Sequence, residues 1–125
     1  MARAERFEDL VAWQKARALA KAVYGLTALG PISRDFGLIG QMQRAAVSVM
    51  SNIAEGMERT GKAEFRHFLT IAKASCAELR SQLYVAVDVG YITEAQFQQM
   101  MAQAEETGRV IGGLRASLNR SRLEP

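Results

Sequence analysis

The sequence predicts an all-α protein, an antiparallel up-and-down four-helix bundle. Apolar residues recur every three or four positions through four long stretches, the period of a helix that buries one face. Gly30-Pro31, Gly61 and Gly90 interrupt that pattern, so the stretches are joined by short links, which favour antiparallel neighbours. No segment alternates apolar and polar residues with the period of two that a half-buried strand requires, and proline stands only at positions 31 and 125.

The first helix begins near Asp9, a reasonable N-cap, and runs to about Leu29, where Gly30-Pro31 stops it. Its core face reads Ala12, Ala16, Leu19, Val23 and Leu26, flanked by Trp13, Ala20 and Tyr24. A link through Ser33 leads to the second helix, which starts with an irregular turn around Asp35 and Gly37 and continues to about Met57. The third, from about Lys62 to Val89, is expected to be the longest. It buries Phe65, Phe68, Leu69, Ala72, Cys76, Leu79, Leu83 and Ala86 and ends on a Gly90 cap. Thr93 caps the fourth, with Glu94 and Gln96 in its first turn and Phe97, Met101, Ala104, Ile111, Leu114 and Leu118 facing inward. Gly108, Gly112 and Gly113 fall inside this helix, where each costs up to about 1 kcal/mol relative to Ala. Close packing against a neighbour is the preferred reason for them, a loosened helix end the other.

The 125 residues suit one domain, 1–125, with an ordered bundle over about 9–119 and short mobile termini. Hydrophobic residues at 49% and charged residues at 23% exclude a largely disordered chain. No apolar run is long enough to span a bilayer, and MARAERFEDL lacks the apolar core of a secretory signal, so a cytoplasmic protein with no membrane partner is expected. The lone Cys76 reads as a small buried hydrophobe. The net charge of +3 is mild but uneven. Both ends are basic, the last stretch through Arg109, Arg115, Arg120 and Arg122, while 91–108 is acidic.

A search for reactive groups returns little. His67 is the single histidine and points away from the centre of its helix's apolar side, which leaves nucleophilic triads without a well-placed base. Glu64 and His67 have the Glu-x-x-His spacing of di-iron bundles, but a second such motif is missing. There is no CxxC, HExxH, GxxxxGK or GxGxxG. Asn119-Arg120-Ser121 is a glycosylation sequon without relevance in a cytoplasmic protein. The expectation is a non-enzymatic protein with no cofactor and no metal.

Three surface patterns remain. Gln41, Arg44, Ser48, Asn52, Glu55 and Arg59 form one polar stripe on the second helix, opposite Met42, Ala46, Val49, Met50, Ile53 and Met57. It reads as a polar seam in which Arg44, Asn52 and Glu55 hydrogen-bond to one another or to neighbouring helices and fix register. Lys62, Arg66, Lys73 and Arg80 share an edge of the third helix. With Arg44 and Arg59, the residues Lys62, Arg66 and Lys73 are the candidate contacts to RNA or DNA phosphates, although a solvated flank would look the same. Aromatic residues are too few for a base-stacking platform. On the first helix Val11, Ala18 and Ala22 make a second apolar side, with Tyr24 and Trp13 between it and the core stripe. Val11, Ala18, Ala22 and Tyr24 are therefore the candidate contacts of a homo-oligomer.

Three segments, FEDLVAWQKARALAKAVY, GLIGQMQRAAVSVMSNIAEGMERTGKAEFRHFLTIAKAS and ELRSQLYVAVDVGYI, together resemble the bacterial four-helix-bundle proteins encoded in intervening sequences of 23S ribosomal RNA. The likeness covers about Phe7 to Leu118, and QxxRAAxSxxxNIAEG is its specific part. It makes Gln41, Arg44, Ser48, Asn52, Glu55, Gly56 and Arg59 signature positions. Met50 replaces a common proline, and Ala74 a glycine before Ser75. The resemblance implies an antiparallel bundle that assembles as a ring-like homopentamer. Relatives act as accessory proteins in diversity-generating retroelements, where a basic pentamer associates with a reverse transcriptase and nucleic acid. A pentamer that binds RNA or DNA is therefore the expected function, and a ring whose partner is another protein is the alternative.

Overall fold

In the computed structural model, which describes residues 4–123, a 3-10 turn over Phe7–Asp9 precedes four helices: α1 (Val11–Thr27), α2 (Phe36–Glu58), α3 (Lys62–Asp88) and α4 (Glu94–Leu123). Residues 1–3, 124 and 125, placed by the sequence in mobile termini, lie outside the described residues, as do the side chains of Arg120 and Arg122. Each helix packs on its two neighbours, α1 on α2 and α4, α3 on α2 and α4, which is the square section of an antiparallel up-and-down bundle. Among the described residues there is no strand.

The caps explain most of the boundaries. Asp9 does not cap α1; it closes the preceding 3-10 turn, and Leu10 stands at the N-cap with no side-chain bond. Phe7 instead lies against Trp13, ring centroids 5.1 Å apart, which ties the turn to α1. After Gly30, whose φ of +78° suits only a residue without Cβ, Pro31–Arg34 form a second 3-10 turn. Asp35 then caps α2, its Oδ1 accepting from Leu38 N at 3.0 Å, so that Gly37 is already helical. The other carboxylate oxygen of Asp35 accepts from the Tyr91 hydroxyl at 3.0 Å, which pins the α1–α2 link to the α3–α4 link and pushes the Tyr91 phenol above its ordinary pKa.

Gly90, at φ +79°, ends α3 with two bonds of the Schellman type, Gly90 N to Val87 O and Tyr91 N to Ala86 O. Thr93 opens α4 by a reciprocal capping box. Its Oγ1 accepts from Gln96 N at 3.1 Å, and Gln96 Oε1 accepts from Thr93 N at 2.8 Å. At 30 residues α4 exceeds the 27 of α3, contrary to expectation, because its glycines do not interrupt it.

The core is continuous through all four helices. Leu19, Val23, Met42, Val49, Ile53, Leu69, Leu79, Leu83 and Ile111 are fully buried, whereas Phe65 and Phe68 are only half-buried near the start of α3. Much of α1's buried face is alanine: Ala12, Ala16 and Ala20. Lys15 on α1 reaches Glu106 on α4 at 2.9 Å, which holds that carboxyl below its usual pKa.

Of the glycines, Gly56 marks the closest approach between helices, where α2 meets α3. A Cβ there would lie 2.8 Å from Phe68 Cβ and 2.9 Å from Phe65 Cδ1, closer than packed carbons approach. The three glycines of α4 differ. Close packing does not account for Gly113, which has nothing within 4 Å of an added Cβ, or for Gly112, which meets only the flexible end of Lys73. At Gly108 a methyl would make ordinary contact with Cys76, 3.9 Å away.

Gly56→Ala is therefore expected to destabilise by about 1–3 kcal/mol despite alanine's better helix propensity, because the overlap is with a Cβ that cannot move away alone. Gly113→Ala should stabilise by about 0.5–1 kcal/mol. Urea unfolding of the two variants checks both signs.

Candidate functional site

The polar stripe on α2 divides in the structure. Ser48 Oγ lies 2.9 Å from Ser75 Oγ of α3, and Asn52 Nδ2 donates to both Ser48 Oγ at 2.9 Å and Ser48 O at 2.8 Å. This is the real seam, and Gly56 continues it one turn further along. Arg44 takes no part: it is exposed, lies over Gly40 and has no hydrogen bond or ion pair among the described residues. Among the described residues Glu55 meets only Arg59, one turn on in the same helix at 3.1 Å. Thus Asn52 bonds back to Ser48 within its own helix and not to Arg44 or Glu55, and the Ser48–Ser75 pair is what crosses to α3, because Arg44 and Glu55 point outward while Ser48, Asn52 and Gly56 face α3. Gln41 is exposed. Ser75 is the member that sequence reading missed, since a serine among apolar positions gives no periodic signal.

The basic edge of α3 borders α4. One groove between them is lined by Thr70, Lys73, Ala74, Ala77, Gly112, Arg115, Ala116 and Asn119. It continues past Lys73 into a second, where Arg80 and Arg109 face Glu105. Among the described residues four basic side chains thus meet one carboxylate, and Arg80 stands 3.9 Å from it. Arg115 Nε donates to Thr70 Oγ1 at 2.8 Å, and Thr70 Oγ1 in turn donates to Arg66 O at 3.0 Å. Neither Thr70, Arg109 nor Arg115 was among the candidate contacts. The basic composition of 109–125 was the available signal, but the rotation of α4 that aims Arg109 and Arg115 at α3 is not written in a local pattern.

The remaining candidates are dispersed. Arg59 is engaged: it bonds Glu55, approaches Glu64 at 4.0 Å and lies over the Phe68 ring at 5.1 Å. Lys62 is exposed at the same end of the bundle. Arg66 is half-buried, with Nη1 shielded from solvent and without a hydrogen-bond partner among the described residues. Arg44 belongs to a groove with Tyr24, Gln43 and Val47 between α1 and α2, across the bundle from Lys73.

On α1, Val11 at 57% exposure, Ala18 and the half-buried Ala22 share one side, and Ala22 adjoins the Gln96–Gln103 stretch of α4. Tyr24, 48% exposed, faces α2 instead, so it lies beyond the core stripe from Val11, Ala18 and Ala22 and not between. Leu29 and Phe36, each 81% exposed, and Val89 at 57% are uncovered apolar residues at the end that carries Asp35 and Tyr91, a feature the sequence reading did not single out.

Cys76 is buried, and burial pushes its thiol up to about 11, outweighing the opposite pull of Arg80. His67 is exposed, edge-on to Phe68. Among the described residues no group of three His, Cys, Asp or Glu side chains converges on a point, and no helix is long and apolar enough to cross a membrane.

These features define a class: a small antiparallel four-helix bundle whose conspicuous surface chemistry is fixed positive charge along one interhelical groove. The sequence model of the 23S rRNA-intervening sequence protein matches residues 8–113, and the chain belongs to that family. In fold it is similar to a protein of unknown function from the S23 ribosomal protein family of Bacteroides thetaiotaomicron. The TM-score is 0.76 at 21% identity, over 84% of this chain and 98% of that one. No curated protein matches the chain.

Removing the Ser75 hydroxyl (Ser75→Ala) should cost about 1 kcal/mol in urea unfolding, while Arg44→Ala should stay within about 0.5 kcal/mol of the parent. Cys76 should resist thiol reagents at pH 8 in the native state and react fully once urea unfolds the chain, as followed by mass spectrometry.

Proposed function

We propose that this protein is a non-enzymatic, homopentameric bundle that acts in the cytoplasm and binds RNA or DNA through the phosphate backbone. The observation that carries the reading is the α3–α4 groove, where Lys73, Arg80, Arg109 and Arg115 line one continuous surface with Glu105 as its only carboxylate among the described residues. Cations fixed on two packed helices hold positive potential at constant spacing, which suits a polyanion better than a compact ligand. Among the described residues no aromatic side chain lines the groove, so recognition rests on charge and not on stacking. Repetition around a ring multiplies a modest patch: a chain of net +3 gains avidity when several copies engage one strand. On α1 the exposed Val11 and Ala18, beside the half-buried Ala22, offer an apolar side that supports self-association.

A second reading, a ring whose partner is a protein, is favoured by the uncovered Leu29, Phe36 and Val89 at one end of the bundle. The two separate on salt dependence. With three or four phosphate contacts, the affinity for a short single-stranded RNA should fall with a log–log slope of roughly −2 to −3 between about 50 and 200 mM salt. A slope near zero, or no binding at the lower salt, removes the nucleic-acid reading. Light scattering should give about five times the chain mass at micromolar concentration, and a mass near one chain removes the pentamer.

A further inference from the structure

We infer that the α3–α4 groove holds a single built phosphate site, with Arg115 and Lys73 as its binding groups and Thr70 as the residue that positions Arg115. The inference rests on the nucleic-acid reading for its natural ligand, a backbone phosphodiester, but the site itself is defined by chemistry that inorganic phosphate shares.

The argument begins with the hydroxyl of Thr70. Its proton goes to the Arg66 carbonyl oxygen, 3.0 Å away in the preceding turn. A hydroxyl committed in that way turns a lone pair outward in a fixed direction, and Arg115 Nε donates to it at 2.8 Å. That bond sets both the position and the plane of the guanidinium. It uses the one nitrogen that contributes least to end-on recognition. The two terminal nitrogens, Nη1 and Nη2, have no hydrogen bond or ion pair among the described residues, and their paired N–H groups match two oxygens of one phosphate.

Across the groove Lys73 supplies the second charge. Its Nζ lies over Gly112, 3.3 Å from where a Cβ would stand, and Lys73 has no ion pair among the described residues. Lys73 and Arg115 line the same groove, and the small residues Ala74, Ala77, Gly112 and Ala116 that line it with them leave room for a tetrahedral anion. Among the described residues no carboxylate lines this half of the groove, in contrast to the half that holds Glu105.

Preorganisation separates this from a diffuse basic surface. An exposed arginine loses side-chain freedom when it grips a phosphate, whereas Arg115 is already held by Thr70 before any ligand arrives. Because the contacts are to phosphate oxygens, binding at this site is indifferent to base sequence.

Two variants and two readouts test the proposal. Thr70→Val keeps shape and charge but removes the hydroxyl, and Arg115→Lys keeps charge but removes the fork. Each should weaken short-RNA binding by roughly three- to tenfold with an unchanged salt slope, whereas Arg115→Ala should lower the magnitude of the slope by about one. Independently, the Arg115 Nε–H resonance of the parent protein should shift saturably on titration with inorganic phosphate, and that response should be lost in Thr70→Val. If Arg115→Lys and Thr70→Val bind RNA as the parent does, charge alone matters and the built site is overturned. The same follows if the Arg115 resonance ignores phosphate. A resonance that responds to phosphate in a protein that binds no RNA upholds the site and overturns the nucleic-acid reading, so the two failures are distinct. Far-UV circular dichroism on each variant checks the fold, and Arg115→Lys, on a half-exposed position, carries the test if Thr70→Val does not fold.

Discussion

The close approach of α2 and α3 at Gly56 is the constraint on which the rest of the bundle depends. With no side chain on α2 at that point, Phe65 and Phe68 lean directly on its backbone. The register is then fixed for the whole antiparallel pair. About two turns from Gly56 along α2 and two turns from Phe68 along α3, Ser48 and Ser75 meet and share a hydrogen bond. At the far end Asp35 stands within reach of Tyr91. A shift of one residue would break all three arrangements together, which makes the α2–α3 pairing a cooperative unit and not a set of separate contacts.

That pairing also decides what α3 shows to the rest of the molecule. Its seam side is committed to α2 through Phe65, Phe68 and Ser75, and its central face to the core through Leu69, Leu79 and Leu83. The edge left over is the one carrying Lys73 and Arg80, and the only helix that can flank it is α4. A basic flank that looked like ordinary solvated surface in one dimension thereby becomes one wall of a groove. Arg109 and Arg115 supply the other.

The contrast between what was legible in the sequence and what was not follows the range of the interactions. Local devices were readable: the Thr93 cap with Gln96 three residues on, the Gly90 stop and the helical period each depend on residues within a turn or two of one another. Asp9 misled because a carboxylate before an apolar run fits a 3-10 turn as well as an N-cap, and Leu10 intervenes. The polar stripe gave the correct face to within a helical turn, yet a stripe some 80° wide spans both an outward and an α3-facing direction, so Arg44 and Asn52 separated. Tyr24 suffered the same ambiguity on α1. Thr70 with Arg115 was out of reach, because that pair forms between helices 45 positions apart in sequence. The glycines of α4 also weaken the apolar pattern from which its rotation might have been judged.

The alanine-rich inner face of α1 has an implication for how the molecule comes apart. Ala12, Ala16 and Ala20 let the helix lie close to its neighbours, but each removes far less apolar surface from water than the leucines of α3. Of the four helices α1 is thus held by little hydrophobic area for its length, and the Lys15–Glu106 pair that clips it to α4 is solvent-exposed and weak. In hydrogen-exchange terms that small area makes α1 the helix expected to open at a lower free energy than the α2–α3 pair. Because it also carries Val11, Ala18 and Ala22, any subunit docked on that side would close the helix down, and quaternary assembly would then be read out as slowed amide exchange in a segment remote from the basic groove.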